Sequence, residues 1–486
     1  MSGTASAGRA VVSGTASAGR AAASAGGTAV GRAVVVGAGL AGSLVSVYLA
    51  RRGYAVRVLE RREDPRTPGA REAGRSINLG LSQRGIVALR EIGLLDTLKP
   101  LTVPMRGRVV HAPDGALRFQ PYGTEEDQIL HSVLRHDLNV ALIDEAEKQG
   151  VEFLWGRKVV GLDREKPSVT TETDEIEADL VVGADGAFSA VRTHLGRGRR
   201  MTLHQEYLEW GYKELLIPVG DDGEPRTELR ALHVWPGDDG LIVAHPNADG
   251  SLTATVFLSF DGPHGFAGLD TPARVREFFA RRFPDTLTLI PDVVEQFLAH
   301  PPASLVTIRT APWHVATGAG RGVVLLGDAA HAVYPFFGQG MNAAFEDCSV
   351  LDRCLAAHPH DLPKALAAFE DARRPHTDVL AELSKRNFVE LRAKLRSPLF
   401  LARKKADLVL HRLFPRSWVP LYTLIAHTTT PYGEALARSK RQDRLLATTT
   451  ALTGAALAGL ALRWIASPPA PRRGRLEVGS SRRLSR

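Results

Sequence analysis

Cysteine is almost absent from this sequence: among 486 residues, only Cys348 and Cys354 occur. They lie six positions apart on one predicted helix, which is neither a disulfide framework nor a metal-ligand spacing. Such residues are typical of small buried side chains in a protein from a reducing compartment. We therefore predict no disulfide, no metal site and a cytoplasmic location.

An excess of charge is also missing from the body of the chain. The formal net charge is +8, but residues 1–32 contribute three arginines and no acid, and residues 467–486 contribute six arginines and one acid. Residues 33–466 are therefore neutral overall, which excludes a general basic surface for nucleic acid. We predict no nucleic-acid partner.

Residues 1–32 lack a run of large apolar side chains that would form the core of a secretory signal. The sequence SGTASAGRA occurs twice there, at residues 2–10 and 13–21. This composition predicts a disordered low-complexity tail, and an arginine-bearing transit peptide is the alternative. Residues 467–486 are predicted to form a basic disordered tail.

The strongest motif is a glycine loop at residues 37–42, GAGLAG, which matches the pattern G-x-G-x-x-G. A short apolar run at 33–36 precedes it, and a helical pattern follows it as far as Arg52. A second apolar run at 55–59 then ends in Glu60. This order predicts the β-α-β unit of a Rossmann-like domain.

Each glycine of the loop has a physical role in binding a dinucleotide. Gly37 permits the tight turn, Gly39 lets the backbone approach a pyrophosphate, and Gly42 allows the helix to pack closely on the strand. Glu60 can accept hydrogen bonds from ribose hydroxyls, and its charge disfavours a 2′-phosphate. The loop therefore predicts FAD or NAD rather than NADP.

A β-rich stretch interrupts this pattern, with a strong turn at residues 247–250, NADG. An apolar run at 322–326 returns to the first pattern, and the chain beyond Pro375 is mostly helical. We predict an α/β (α+β) fold with these parts: a disordered tail at 1–32, a discontinuous FAD-binding domain at 33–200 and 320–375, an inserted antiparallel β-sheet substrate domain at 201–319, a C-terminal helical region at 376–466, and the basic tail at 467–486.

Two further motifs carry the chemistry of a flavin. The first is GADG at residues 183–186, which follows an apolar run. The second is LLGDAAH at 325–331 with PFFGQGMN at 335–342. Asp328, at a strand end, can accept from a ribityl hydroxyl. The second loop opens a helix, whose positive N-terminus would stabilise the charge that an isoalloxazine gains on reduction.

These motifs, in this order, resemble the group A FAD-dependent aromatic hydroxylases, which have the para-hydroxybenzoate hydroxylase fold. The resemblance covers about residues 33–350. It implies bound FAD, with NADPH and O2 as co-substrates, and no second Rossmann domain for NADPH. The single glycine fingerprint in this chain agrees with that implication.

Several further segments support a narrower likeness. They are GRSINL at 74–79, PMRGR at 104–108, PYGT at 121–124, the 335–342 loop with FEDC at 345–348, and PLYT at 420–423. These segments resemble the kynurenine 3-monooxygenase family, and the likeness runs from about Ala33 to about Tyr422. It implies hydroxylation of L-kynurenine to 3-hydroxy-L-kynurenine through a flavin C4a-hydroperoxide, a reaction of tryptophan catabolism and NAD biosynthesis.

The resemblance also assigns residues to the site. It places Arg108 and Tyr122 at the substrate carboxylate, and a planar guanidinium suits bidentate binding of a carboxylate. No residue is assigned as a catalytic base, and we expect His331 to be structural. Asn387 and Tyr422 are two further substrate contacts, and Pro335, Phe336 and Gln339 lie near the flavin. The implied cofactor residues are Gly37, Gly39, Gly42, Glu60, Arg62, Arg135, Val159, Asp185, Asp328, Met341 and Asn342.

Residues 445–462 carry no charge and reach the minimum length for a membrane-spanning helix. Four threonines and two glycines lower their hydropathy, however. The resemblance implies a membrane anchor at this position in eukaryotic relatives. A peripheral membrane contact through 445–466 is therefore one interpretation, and a helix over the active site or an oligomer contact are the others. We expect a monomer or homodimer.

Three other functions are compatible with the flavin motifs. The first is the same enzyme class acting on another aromatic substrate, although Arg108, Tyr122 and Tyr422 disfavour simple phenols. The second is a flavin reductase or an epoxidase that acts on isoprenoids. The third is a flavin-binding sensor or scaffold, which would bind FAD without substrate-stimulated NADPH oxidation.

Overall fold

The computed structural model describes residues 30–68, 78–112, 114–123, 125, 128–318, 320–392 and 397–466. Within this part, only the backbone is described at 398, 399, 401 and 450–466. Four parts of the chain discussed above lie outside the described residues: the repeated N-terminal segment before residue 30, residues 74–77 of the GRSINL motif, Thr124, and the basic tail at 467–486.

The strands fall into two large and two small sheets. In chain order they are β1 Gly31–Val36, β2 Tyr54–Leu59, β3 Asn78–Leu81, β4 Thr102–Met105, β5 Gly107–His111, β6 Leu117–Pro121, β7 Leu130–Leu134, β8 Glu152–Leu154, β9 Val159–Asp163, β10 Ser168–Thr171, β11 Glu175–Glu177, β12 Leu180–Gly183, β13 Thr202–Ile217, β14 Ala231–Trp235, β15 Leu241–Pro246, β16 Leu252–Ser259, β17 Ala303–Ala311, β18 His314–Ala316 and β19 Gly322–Leu325.

Helices cover the sheets and make up most of the C-terminal part. They are α1 Leu40–Arg51, α2 Gln83–Glu91, α3 Leu95–Leu98, α4 Arg135–Lys148, α5 Ala190–Leu195, α6 Pro272–Arg282, α7 Thr286–Leu289, α8 Val293–Ala299, α9 Asp328–His331, α10 Gly340–Ala357, α11 Leu362–Arg392, α12 Pro398–Leu413, α13 Leu421–Ala426 and α14 Tyr432–Ala466, with 3-10 turns at Lys99–Leu101 and Pro335–Phe337.

The first large sheet has six strands in the order β18-β19-β12-β1-β2-β8. All its pairs are parallel except β18 with β19. Helices cover both faces of a parallel sheet, so its inner strands are continuous apolar runs. The fully buried strands β12 and β19 fit this rule. The predicted β-α-β unit is confirmed as β1, α1 and β2.

The second large sheet has seven strands in the order β17-β13-β16-β15-β14-β5-β6. The predicted antiparallel strands from the 201–319 segment form five of them. The predicted turn at 247–250 is confirmed, because the Gly250 amide donates to the Asn247 carbonyl at 3.2 Å. Strands β5 and β6 come from earlier in the chain, and β5 joins β14 in parallel.

The two faces of the seven-stranded sheet pack against different parts of the chain. One face packs on α6 to α8, in a core that includes Ile242, Phe279 and Phe297. The opposite face carries Leu241 and Phe257, which pack against the C-terminal part of the chain. We call this second side the pocket face, because Leu232 packs on it and the predicted substrate residue Arg108 is paired with Leu232.

The chain turns at Gly156, where φ is +66°, and this turn separates β8 from β9. One detail differs from the sequence-based expectations. The helical region predicted after Pro375 starts earlier, since α11 runs continuously through Pro375. Proline costs a helix interior about 3 kcal/mol; buried Arg373 and Thr377 anchor α11 on either side of it.

Among the residues that the structure describes, no helix is long and apolar enough to cross a membrane. The predicted domain boundaries remain a proposal, because sheet membership alone does not define them.

Candidate active site

The glycine loop is closed on one side and open on the other. Gly37 has φ of +103°, and a Cβ there would lie 2.6 Å from the carbonyl oxygen of Ala184. A Cβ on Gly42 would lie 1.8 Å from the carbonyl oxygen of Gly37. At Gly39, by contrast, an added Cβ would meet nothing within 4 Å. The loop therefore needs glycine at 37 and 42 for packing, and leaves space at 39 for a ligand.

Glu60, at the end of β2, is held against this loop. Its Oε2 accepts from the Ala38 amide at 3.0 Å, and its Oε1 accepts from the amide and Nε of Arg62, both at 3.0 Å. Burial alone would raise the pKa of Glu60, but the hydrogen bonds and charge of Arg62 outweigh it and the pKa is lowered. Glu60 is therefore an anion, while Arg62 stays largely exposed.

Two other predicted cofactor residues, Val159 and Arg135, lie near this end of the sheet or start the next helix. The Arg157 amide donates to the Glu60 carbonyl at 2.8 Å, and Val159 begins β9 two residues later, buried. Arg135 is the exposed first residue of α4. Sequence reasoning missed Asn139, one turn after Arg135, which donates to the Ala38 carbonyl at 3.0 Å.

Asp185 lies in the predicted GADG loop, which follows β12. Its carboxylate accepts from the Ser189 hydroxyl at 2.5 Å and from the amides of Ala190 and Val191 at 2.7 and 3.1 Å. Burial raises the pKa of this carboxyl despite these hydrogen bonds. The described contacts of Asp185 therefore cap α5, and direct binding to a cofactor remains a prediction.

Asp328 and His331 stand on the same short helix but in different surroundings. Asp328 is exposed, directly after Gly327, whose φ is +57°. His331 is buried, and its Nε2 lies 2.6 Å from Oδ2 of Asp347. This contact engages the ring with a buried carboxylate and supports a structural role for His331, which stays a prediction.

The 335–342 loop lies between the predicted cofactor residues and the predicted substrate residues. Asn342 accepts from the Ser82 amide and donates to the carbonyls of Gly80 and Gly338, all at 2.9 Å. Its side chain therefore fastens the loop to the end of β3. Gln339 is buried and accepts from the Tyr432 hydroxyl at 3.1 Å. Met341 is half-buried at the start of α10, and Pro335 is exposed.

Arg108 stands on the pocket face beside two tyrosines. Its Nε donates to Oε1 of Gln120 at 2.9 Å. The rings of Tyr122 and Tyr422 are stacked, with centroids 5.4 Å apart and 24° between their planes. Among the described residues, the buried Tyr122 hydroxyl has no hydrogen-bond partner of good geometry.

Burial keeps both phenols protonated. It raises the pKa of Tyr422 to about 12 and raises the pKa of Tyr122 well above its ordinary value, while the charge of Arg108 opposes the rise at both. The three side chains therefore present a cation and O–H donors together, a set that suits a carboxylate.

Asn387 and Phe336 meet on the other side of the 335–337 turn. The Asn387 side chain donates to the Phe336 carbonyl at 2.5 Å. The Phe336 ring packs against Phe388 and Phe257 at centroid distances of 4.5 and 5.0 Å. Phe337 faces Tyr422 at 6.0 Å. The 335–337 turn therefore contacts Tyr422 on one side and Asn387 on the other. The rings of Phe257, Phe336 and Phe388 form an apolar wall.

A buried charge network supports the 335–342 loop from behind, and sequence reasoning missed it. Glu346 bridges Arg84 and Arg373 at 2.7 and 2.6 Å, and Arg373 reaches Asp347 at 2.7 Å. Asp347 also accepts from the Gly327 amide at 2.9 Å. Its members lie far apart in sequence on three helices, so no local spacing predicts the network.

Comparisons with known proteins agree with this geometry. Residues 31–384 match the FAD binding domain family. A kynurenine 3-monooxygenase of Salinispora arenicola is 56% identical over 432 residues, which cover 87% of this chain and 94% of the relative. That of Salinispora tropica is 54% identical over 451 residues, covering 91% and 96%.

The chain belongs to the kynurenine 3-monooxygenase family. A solved structure of 2-methyl-3-hydroxypyridine-5-carboxylic acid oxygenase superposes with a TM-score of 0.62, at 23% identity, over 76% of this chain and 95% of that one. The predicted fold, that of an FAD-dependent monooxygenase, is thereby confirmed.

The residues around the glycine loop fit FAD. Gly39 leaves open space where a pyrophosphate would approach, and Glu60 is an anion close to where a ribose would lie. Beside the loop, Oδ1 of Asn139 is buried without a partner among the described residues. The prediction of FAD as the cofactor is therefore confirmed by the match to the FAD binding domain family and by the kynurenine 3-monooxygenase relatives.

Proposed function

We propose that this chain hydroxylates L-kynurenine to 3-hydroxy-L-kynurenine, with NADPH and O2 as co-substrates and FAD bound. The observation that carries the substrate assignment is the pairing of Arg108 with the buried Tyr122 and Tyr422 beside an apolar wall. When bound, FAD supplies the oxygen-transfer chemistry, which no amino-acid side chain can supply. The chain provides binding, orientation and a dry pocket.

In this proposal the cofactor lies along the carboxyl ends of β1 and β2. Gly37, Gly39 and Gly42 shape the pyrophosphate site, and the N-terminus of α1 supplies amide donors and a positive dipole end. Glu60 faces a ribose, with Arg62 holding the carboxylate in place. Arg135, Val159, Asp185, Asp328, Met341 and Asn342 are the remaining proposed cofactor residues.

The amino-acid end of the substrate is held by Arg108 and the two tyrosines. Two N–H groups of a guanidinium can bind both oxygens of a carboxylate, and the protonated phenols add donors. Asn387 is proposed to act next to Phe336, on the far side of the 335–337 turn. This arrangement orients the aromatic ring toward the turn.

The aromatic end of the substrate lies between the pocket face and the 335–337 turn. Phe257, Phe336 and Phe388 are buried, and the Phe336 ring contacts the other two, so they exclude water from this region. Pro335, Phe336 and Gln339 lie on the proposed flavin side. Exclusion of water protects a reactive oxygen donor from wasteful loss as H2O2.

No side chain needs to act as a catalytic base, because the ring amine of kynurenine already activates the adjacent ring carbon. His331, the histidine of the Asp328 helix, has its Nε2 paired with buried Asp347, which supports a structural role. The same reaction class on simple phenols is disfavoured, since a phenol has no carboxylate for Arg108.

The test is NADPH consumption by the purified yellow protein against a panel of aromatic amino acids, with products identified by mass. We expect NADPH oxidation to be stimulated by kynurenine and to yield 3-hydroxykynurenine. H2O2 as the sole product, or no stimulation by kynurenine, would contradict the proposal. Bound FAD with no stimulation by any compound would favour a sensor or scaffold instead.

A peripheral membrane contact through residues 445–466, a cytoplasmic location and a monomeric or homodimeric state also remain proposals. The supporting observation for membrane contact is that Lys440, Arg441, Arg444 and Leu445 are all exposed on the same helix, α14. Basic residues next to an apolar segment favour contact with anionic lipid.

A further inference from the structure

His245 is a histidine on the pocket face that the proposed function does not use. It lies near the end of β15, where Leu241, Val243 and His245 alternate onto one side of the sheet. Leu241 belongs to the apolar cluster of Phe336 and Phe388, and Val243 packs against that cluster. The side chain of His245 therefore points into the same space as the apolar wall.

The strand register places His245 in one row with Arg108. Arg108 pairs with Leu232 on β14, and the register of β14 with β15 sets Leu232 opposite His245. Neighbouring strands lie about 4.8 Å apart, so the backbones of Arg108 and His245 are separated by roughly 10 Å. Leu232, between them, packs both against the tyrosine cluster and against the apolar wall.

The imidazole of His245 is half-buried on the pocket face. Desolvation lowers the pKa of His245 to about 4, so the ring is uncharged near neutral pH. Among the described residues, neither ring nitrogen of His245 has a hydrogen-bond partner. The backbone carbonyl of His245, by contrast, lies 3.5 Å from the side-chain nitrogen Nδ2 of Asn78. A neutral imidazole offers one N–H donor and one free nitrogen acceptor.

We propose that His245 determines specificity by accepting a hydrogen bond from the ring amine of a 2-aminophenyl ketone substrate. This inference rests on the proposed function and deepens it. One N–H of such an amine bonds to the neighbouring ketone within the substrate, which leaves the second N–H without an acceptor in an apolar pocket. An unmet buried donor costs about 1–3 kcal/mol, and the free nitrogen of His245 meets it.

The two other uncharged polar side chains in the row are already engaged. Gln120, opposite Arg108 on β6, accepts from Arg108 Nε at 2.9 Å. Thr253, opposite His245 on β16, donates to Oδ1 of Asn78 at 3.2 Å and lies within hydrogen-bond distance of the Asn247 amide at 3.3 Å. Leu232 has no polar atom. A substrate with its carboxylate at Arg108 therefore meets His245 as the acceptor in this row of the pocket.

The experiment is a cycle of two ligands and two proteins, measured as dissociation constants from the absorbance change of bound FAD without NADPH. The ligands are kynurenine and its analogue that lacks the ring amine. The proteins are the FAD-loaded wild type and His245→Leu. We expect His245→Leu to weaken binding of kynurenine roughly tenfold and of the analogue less than twofold.

Further variants separate hydrogen bonding from shape. His245→Gln keeps an acceptor and should recover most of the affinity for kynurenine, and His204→Leu, on an exposed strand position, should change neither constant. If His245→Leu loses FAD, His245→Met serves in its place. Equal weakening of both ligands, or no weakening of either, overturns the inference. Wild-type protein that binds neither ligand contradicts the proposed function itself, and this inference falls with it.

Discussion

His331 Nε2 lies 2.6 Å from Oδ2 of Asp347, and this buried pair joins the Asp328 helix to α10. The same carboxylate accepts from Arg373 Nε at 2.7 Å and from the Gly327 amide at 2.9 Å. Asp347 therefore ties together the turn that presents Asp328, the helix behind the 335–342 loop, and α11. The geometry of the 335–342 loop therefore depends on a carboxylate that is fully buried behind it.

Replacing Asp347 should destabilise the protein more than replacing a partly exposed carboxylate on the same helix. Asp347→Ala leaves the buried charge of Arg373 poorly compensated, which costs about 3–5 kcal/mol in the free energy of unfolding. Denaturant unfolding measures this loss. The control is Asp352→Ala on the same helix, whose partner Arg52 is partly exposed; there we expect a loss of about 1 kcal/mol or less. Equal losses in the two variants would contradict the assignment.

The contribution of Asp347 should also depend on pH. Burial alone raises its pKa, but the charges of His331 and Arg373 outweigh burial and lower it. A lowered folded-state pKa gives stability that is present above the unfolded value of about 4 and is lost as the pH falls further. The difference between wild type and Asp347→Ala should therefore be constant near neutral pH and shrink in acid.

Arg108→Ala should raise the KM for kynurenine and leave bound FAD in place. Loss of a charge-assisted hydrogen bond costs about 1.5–3 kcal/mol, or roughly 10- to 150-fold in KM. Arg106→Ala is a matched control, since Arg106 is an exposed neighbour on the same segment. Loss of FAD from Arg108→Ala, or an unchanged KM, would show that Arg108 does not hold the substrate carboxylate.

Gly42→Ala and Gly39→Ala should separate packing from ligand contact. A Cβ at 42 collides with the Gly37 carbonyl at 1.8 Å, so this variant should lower the melting temperature and lose FAD. Gly39 has φ of −75° and open space, so alanine there should leave the FAD-free melting temperature unchanged. We expect FAD affinity of Gly39→Ala to fall at least tenfold, because its methyl group enters the pyrophosphate space. Unimpaired FAD binding would place the pyrophosphate elsewhere.

Removal of residues 440–486 tests the membrane proposal. The full chain should pellet with vesicles of anionic phospholipid and remain in the supernatant with neutral phosphatidylcholine, because Lys440, Arg441 and Arg444 supply electrostatic attraction. The shortened chain should remain in the supernatant with both. Equal behaviour of the two chains would rule out membrane contact through this segment.

Local patterns predicted the cofactor side of the molecule well. The glycine loop lies between two short apolar runs, and each of these signals is contained within a few residues, so β1, α1, β2 and Glu60 are where the sequence placed them. The turn at 247–250 was equally local. By contrast, β5 pairs with β14 across about 120 residues of chain, and no local period reveals a parallel pairing at that separation.

No local pattern predicted the substrate side. Arg108, Tyr122 and Tyr422 are ordinary residue types, so only the family resemblance pointed to them in the sequence, and the folded chain then shows that they lie together. The partners Arg84, Glu346 and Arg373 come from three helices. His245 gave no signal in the sequence, because alternation along a strand does not say which face will be a cleft.

Helix α11 carries Arg373 of the buried network and, 14 positions later, Asn387 beside Phe336. At about 1.5 Å per residue the two lie roughly 21 Å apart, and each added residue rotates the remainder of the helix by about 100°. A single insertion between them would thus rotate Asn387 away from the 335–337 turn. The number of residues between Arg373 and Asn387 is therefore constrained, because it sets the orientation of Asn387 relative to the buried network.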